Sequence, residues 1–191
     1  MPRPNVREKI VDAGLKVLIE KGFNGAAVQD ITDAAGVPKG SFYNHFESKE
    51  ALGAEIVDRY GRNNPRRTAL FDTSLPPLRR LRAHFERLNK SFASENFGRG
   101  CLLGNFSAEL SGQSQMIRER LADLYVSWST DIATVIAEAQ ADGSILTKTP
   151  AADLAAFLLD AYEGALLRAR VEKTGRAFDR LMSVVFTQIL V

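Results

Sequence analysis

Residues 28–52, VQDITDAAGVPKGSFYNHFESKEAL, decide the fold of this chain. Apolar residues recur at helical spacing over the first eight positions, which predicts a short helix whose buried face is formed by Val28, Ile31, Ala34 and Ala35. Gly36 follows where a left-handed helix end is favoured. Pro38 stands where a proline can begin a helix but cannot continue one. The pattern therefore predicts two helices joined by a tight turn.

The second of these helices, predicted from Lys39 to Phe46, is dense in hydrogen-bond donors. It carries Lys39, Ser41, Tyr43, Asn44 and His45. A short helix rich in exposed donors, held in place by a helix that packs, is typical of a helix-turn-helix reader of the DNA major groove.

The same stretch resembles the TetR family of bacterial transcriptional regulators. The resemblance covers about the first quarter of the chain, and its matching positions are Gly22-Phe23, Asp30-Ile31, Ala34 to Val37, Lys39 to Phe46 and Lys49 to Leu52. It implies an all-α fold of about nine helices, with an N-terminal three-helix DNA-binding domain and a C-terminal helical domain for ligand binding and dimerisation. We assign residues 1–50 to the DNA-binding domain, joined through a helix at 48–61, and residues 51–191 to the second domain.

The predicted DNA contacts follow from residue type and position. Phosphate contacts fix the register on DNA, whereas contacts to base edges select the sequence. Lys39 can reach a phosphate or a guanine, Ser41 is small enough to meet base edges, and Phe42 packs or touches a thymine methyl. Tyrosine and histidine contacts to phosphate are usual in the family. The predicted set is Gln29, Lys39, Ser41, Phe42, Tyr43, Asn44, His45 and Lys49.

One position departs from the family pattern. The supporting helix usually begins with Thr or Ser, whose hydroxyl caps the helix and meets a phosphate, but this chain has Ala26 and Ala27. Loss of such a cap costs on the order of 1 kcal/mol. We therefore expect Arg7, on the first helix, and Arg3, just before it, to contribute more to DNA binding.

Six further helices follow from the apolar spacing. They are predicted at residues 5–21, 78–92, 102–111, 114–141, 151–171 and 177–190. Residues 62–77 contain three prolines and mark the best candidate boundary. The last two helices are apolar on more than one face, so one face implies a partner. The family resemblance implies the same homodimer, and a dimer predicts a palindromic operator.

The helices between the reader and the dimer face are rich in aromatic residues. They could form solid core or line an apolar ligand pocket. The resemblance to ligand-controlled repressors implies a pocket for an apolar or electrophilic inducer, with the candidate lining residues Phe85, Phe92, Cys101, Phe106, Tyr125 and Trp128.

Cys101 supports an alternative, a repressor that senses electrophiles or oxidants. It precedes a predicted helix and lies two residues from Arg99, and both features lower a thiol pKa. A small space-filling residue is the simpler interpretation, since cysteine is among the most buried residue types.

Composition excludes several classes of function. The chain has 191 residues, one cysteine, and no apolar run near the ~20 residues that span a membrane. We therefore expect a cytoplasmic protein without disulfides. Residues 1–50 contain seven basic and seven acidic residues, so overall charge does not indicate DNA binding.

We expect no cofactor and no metal. An enzyme built on Cys101 with His84 or His45 is disfavoured, because no catalytic motif accompanies them. The favoured function is a ligand-responsive repressor; an activator or a ligand-independent DNA binder remains open.

Overall fold

The computed structural model describes residues 5–62 and 65–191 of the chain. The secondary structure of these residues is helical, without strands. The nine α-helices are α1 (Val6–Lys21), α2 (Val28–Ala35), α3 (Lys39–Tyr43), α4 (Lys49–Arg62), α5 (Pro77–Ala93), α6 (Leu102–Leu110), α7 (Gln115–Ala141), α8 (Ala151–Glu172) and α9 (Arg176–Val184). The predicted all-α fold is confirmed.

Three local features differ from the sequence prediction. The recognition helix α3 ends at Tyr43 and not at Phe46, because the chain turns at Asn44. The predicted boundary at 62–77 contains a 3₁₀ helix, Pro65–Phe71. The last predicted helix is divided, since a π-helical turn, Val185–Ile189, follows α9.

The described chain forms two compact units that do not follow chain order. The first unit contains the described residues up to 62 together with 101–124, and the second contains 65–100 together with 125–191. Helices α4 and α6 and the start of α7 therefore belong structurally with the N-terminal helices. The functional division at residue 50 stays a prediction.

The core of the first unit holds the short helices α2 and α3. Its fully buried side chains include Ile10, Leu18, Ile31, Phe42, Leu52 and Ile56. Ala34, predicted to face inward, is exposed, and Thr32 is buried instead. Burial of Thr32 is possible because its hydroxyl lies within hydrogen-bond distance of the Val28 and Gln29 carbonyls, at 3.2 and 3.1 Å.

The core of the second unit is aromatic. Phe178 of α9 stacks against Tyr162 of α8 with ring centroids 5.5 Å apart. The ring of Phe92 of α5 lies 6.5 Å from that of Phe178. Trp128 of α7 is buried and donates its indole N–H to Nε2 of the buried His84, at 3.2 Å. This hydrogen bond satisfies a donor that would otherwise be costly to bury.

Neither a membrane span nor a metal cluster is present in the described part. None of its helices is long and apolar enough to cross a bilayer. The same residues contain no group of three or more His, Cys, Asp or Glu side chains arranged to hold a metal ion.

Replacing His84 with leucine should lower the free energy of unfolding by about 1–3 kcal/mol, because the Trp128 N–H would stay buried without its acceptor. Chemical denaturation followed by the fluorescence of Trp128, the chain's one tryptophan, measures this change. The matched control is His45→Leu, at the chain's other histidine, which is exposed. Equal losses in the two variants would contradict the assigned role of the hydrogen bond.

Candidate nucleic-acid interface

The turn between α2 and α3 has a well-defined hydrogen-bond pattern. Gly36 adopts the left-handed conformation with φ of 64°, a region in which a side chain is strained. Its N–H donates to the Asp33 carbonyl at 3.1 Å, and the Val37 N–H donates to the Thr32 carbonyl at 3.0 Å. These bonds close the end of α2 and fix the direction in which the chain enters α3.

Helix α3 presents two different faces. Phe42 has no exposed surface and packs into the core, with its ring 5.2 Å from that of Tyr43 in an edge-on arrangement. Tyr43 is 56% exposed, and Lys39, one helical turn earlier, is exposed too. Because these two residues are four positions apart, they share the outward face of the helix.

The other polar residues predicted to contact DNA are accessible to different degrees. Asn44 and His45 are exposed directly after α3, and Ser41 is partly exposed. Gln29 on α2 is exposed, but its amide donates to the Asp33 carboxylate at 2.6 Å, so a base contact would have to replace that bond. Their contacts with DNA stay predictions.

Two of the predicted DNA contacts do not fit the structure. Phe42 cannot touch a thymine methyl, because its side chain is completely buried. The Lys49 ammonium donates to the Phe23 and Ala26 carbonyls, each at 2.7 Å, and lies 4.4 Å from the centre of the Phe23 ring. It therefore holds the loop between α1 and α2, a role that the sequence does not predict.

Of the two arginines expected to contribute to DNA binding, the structure describes only Arg7. Arg3 lies outside the described residues, and Arg7 forms an ion pair with Glu55 of α4. The hydrogen bond to Glu55 is the main cause that raises the pKa of the Arg7 guanidinium. Arg7 therefore joins α1 to α4 inside the first unit.

The start of α2 is held by a different side chain. Asp30 accepts the Ala27 N–H at 2.8 Å and the Lys21 ammonium at 2.8 Å. The Lys21 bond, followed by the Ala27 bond, lowers the pKa of the Asp30 carboxyl. One acidic residue in the first turn thus satisfies a main-chain donor next to the position where the hydroxyl cap is absent.

The six residues predicted to bind a ligand do not line one cavity within either unit. Cys101 and Phe106 belong to the first unit, and the other four belong to the second. Phe85, Phe92 and Trp128 are buried, and each has an aromatic neighbour. For these three residues the solid-core interpretation fits better than the pocket. Tyr125 lies in an open groove of about 820 Å³ between α7 and α8.

Cys101 is placed less favourably for sensing than the sequence suggests. It precedes α6 as predicted, but it is only 2% exposed and its sulfur lies 3.6 Å from the Tyr60 hydroxyl. The nearby cation, Arg99, is paired with Glu95. Burial opposes formation of a thiolate. The sensor role stays a prediction.

This combination of fold and site defines a helix-turn-helix DNA-binding regulator. Two family models match: "Bacterial regulatory proteins, tetR family" over residues 10–56, and "Tetracyclin repressor-like, C-terminal domain" over residues 77–185. The chain belongs to the TetR family of transcriptional regulators, as the sequence resemblance predicted.

Relatives matched over most of their length support the same assignment. The chain is 41% identical to the HTH-type transcriptional repressor DhaR of Mycobacterium sp. (strain GP1), over all of this chain and 95% of that protein. It is 35% identical to the transcriptional regulator AcuR of Cereibacter sphaeroides, covering 86% of this chain and 76% of AcuR.

A solved structure agrees with this family assignment. The crystal structure of a regulatory protein TetR from Rhodobacter sphaeroides superposes with a TM-score of 0.86 at 33% identity, covering 93% of this chain and 95% of that one.

Replacing Lys39 with alanine should weaken binding to operator DNA and make it less sensitive to salt. If the exposed ammonium neutralises one phosphate, the slope of log K against log salt should fall by about 1. Fluorescence anisotropy of labelled operator DNA over a salt series measures this slope. The control is Lys148→Ala, an exposed lysine between α7 and α8. An unchanged slope in the Lys39 variant would show that Lys39 does not contact a phosphate.

Proposed function

We propose that this protein is a repressor that binds a palindromic operator as a homodimer and is released by a small-molecule inducer. The observation that carries the proposal is the outward face of α3 and the residues after it. Lys39, Tyr43, Asn44 and His45 are exposed there, above a Phe42 side chain that is fully buried. The relative DhaR is a transcriptional repressor, which supports the direction of regulation.

The small size of the DNA-reading surface on one chain supports a dimer. Helix α3 has only five residues, so a single copy offers few base contacts. Two copies related by a twofold axis would double these contacts and place two recognition helices in successive major grooves. The operator would then be palindromic, with half-sites about one helical turn apart or a multiple of this spacing.

Helix α8 supplies the proposed dimer surface. Its outer side carries large apolar residues in contact with solvent, with Phe157 48%, Leu167 53% and Val171 85% exposed. Gly164 lies on the same side, and a Cβ added there would meet nothing within 4 Å. These residues recur at spacings of seven, three and four, which suits packing against another helix. We propose that the partner's α8 and α9 cover this surface.

We propose that the inducer binds in the second unit. The groove that contains Tyr125 is lined mainly by small and hydroxyl side chains, which include Ser129, Thr130, Ala133 and Ala156. It lies within the segment that matches the C-terminal family model. The lining suits a small, largely apolar molecule with few polar groups. A cytoplasmic location is part of the same proposal, since the regulator must reach its operator.

Selection of genomic fragments by the full-length protein tests the proposed function. The expected result is one or a few enriched sites with inverted repeats, from which the purified protein protects both half-sites. A reporter gene placed behind such a site should be expressed more strongly when the regulator gene is deleted. Enrichment without an inverted repeat would contradict dimeric binding, and lower reporter expression after deletion would identify an activator.

Replacing Leu167 with glutamate should convert the dimer to a monomer and weaken operator binding by at least about tenfold, because an unpaired charge would be buried in the proposed interface. Sedimentation velocity and operator titration measure the two effects. The matched control is Leu146→Glu, a residue 67% exposed in the segment between α7 and α8. A dimeric Leu167 variant would exclude this part of α8 from the interface.

A further inference from the structure

The loop between α1 and α2, residues 22–27, is held by two side chains of opposite charge. Lys49 of α4 donates to the Phe23 and Ala26 carbonyls, each at 2.7 Å. Glu109, near the end of α6, accepts the Asn24 N–H at 2.8 Å through Oε2. Three main-chain polar groups of one short loop are therefore bound by α4 and α6.

Apolar contacts with the same two helices also fix this loop. Phe23 is only 6% exposed, and its ring lies edge-on to that of Phe106 of α6, with centroids 5.7 Å apart. Gly53 of α4 leaves room for this ring, since a Cβ there would lie 3.0 Å from Phe23 Cε2. The loop thus sits against α4 and α6 with little space to move.

The sequence of the loop is adapted to the close approach of Glu109. Gly22 has φ of 76°, and a Cβ at this position would lie 2.7 Å from Glu109 Oε1. Glycine therefore serves two purposes here, the left-handed backbone and the space for a carboxylate. Burial lowers the pKa of Lys49, and the negative charge of Glu109 acts in the opposite direction. Glu109 thus stabilises both the loop N–H and the ammonium that holds the carbonyls.

The position of this loop determines where the DNA reader begins. Ala27, its last residue, is the N-cap of α2, and α2 leads through the Gly36 turn into α3. A shift of the loop would therefore shift the whole helix-turn-helix motif. Helix α6 contacts this loop directly, so its influence on the reader does not have to pass through α4.

We propose that Glu109 is a positioning residue for operator binding, which holds the α1–α2 loop, and with it α2 and α3, in the orientation that reads DNA. It acts from α6 without touching DNA. The proposal rests on the proposed function, since it concerns affinity for the operator. It predicts that specific DNA binding depends on a carboxylate or amide oxygen at this position.

The test compares Glu109→Ala and Glu109→Gln in the full-length protein with the operator fragment obtained from genomic selection. The alanine variant should bind the operator about tenfold more weakly, the effect expected from loss of one charge-assisted hydrogen bond. Its affinity for unrelated DNA should stay within about twofold, since non-specific binding depends on phosphate contacts. The glutamine variant should recover most of the operator affinity, because its amide oxygen can still accept the Asn24 N–H.

Two further measurements separate positioning from loss of stability. Amide hydrogen exchange at Asn24 should increase in the alanine variant and not in the glutamine variant, at a temperature where circular dichroism shows both to be folded. The matched control is Glu119→Ala. Glu119 is an exposed glutamate of α7, and its carboxylate accepts a hydrogen bond from the Gln115 side chain at 2.9 Å, on the surface of the same helix. Its operator affinity should equal that of the wild type.

The possible outcomes distinguish this proposal from the proposed function. If the wild-type protein selects no operator, the proposed function fails. If the wild type binds its operator and Glu109→Ala binds it equally well although exchange at Asn24 has increased, the positioning role is overturned. Equal loss of affinity for operator and unrelated DNA, or no recovery by glutamine, would also overturn it.

Discussion

The helix-turn-helix motif consists of two very short helices, and neither can be stable without support. Helices of eight and five residues are far below the length at which an isolated helix persists in water. Their positions must therefore come from packing, which Ile31, Thr32 and Phe42 provide by complete burial. The rest of the first unit follows from this requirement, since α1, α4 and α6 all contribute side chains that hold the motif or the loop before it.

The same requirement explains how the charges of the first fifty residues are used. Several of them are paired with an acidic residue of another helix or bound to main-chain carbonyls, as Arg7 is with Glu55, Lys21 with Asp30, and Lys49 with loop carbonyls. These pairs orient the helices, whereas Lys39, Tyr43, Asn44 and His45 stay exposed on α3 and directly after it. Net charge is therefore a poor indicator of DNA binding here, since placement of a few donors matters more than their number.

The apolar residues of the second unit fall into two groups, one buried in its core and one exposed on its surface. Aromatic rings of α5, α8 and α9 pack on one another, which gives a solid core around Phe178. The apolar residues on the outer side of α8, by contrast, are left in contact with solvent. A core of this kind stabilises one chain, whereas the exposed apolar surface is the part that suits a second copy.

The sequence alone determined the helical fold, most helix boundaries and the helix-turn-helix motif, because apolar periodicity and the Gly36 and Pro38 positions are local signals. It could not determine which polar residues stay exposed. The residue types predict DNA contacts for Phe42 and Lys49, yet Phe42 is buried in the core and Lys49 binds loop carbonyls. The contact between Glu109 and Asn24 joins residues 85 positions apart. Only tertiary structure brings such residues together, since no local pattern encodes a pairing across that distance.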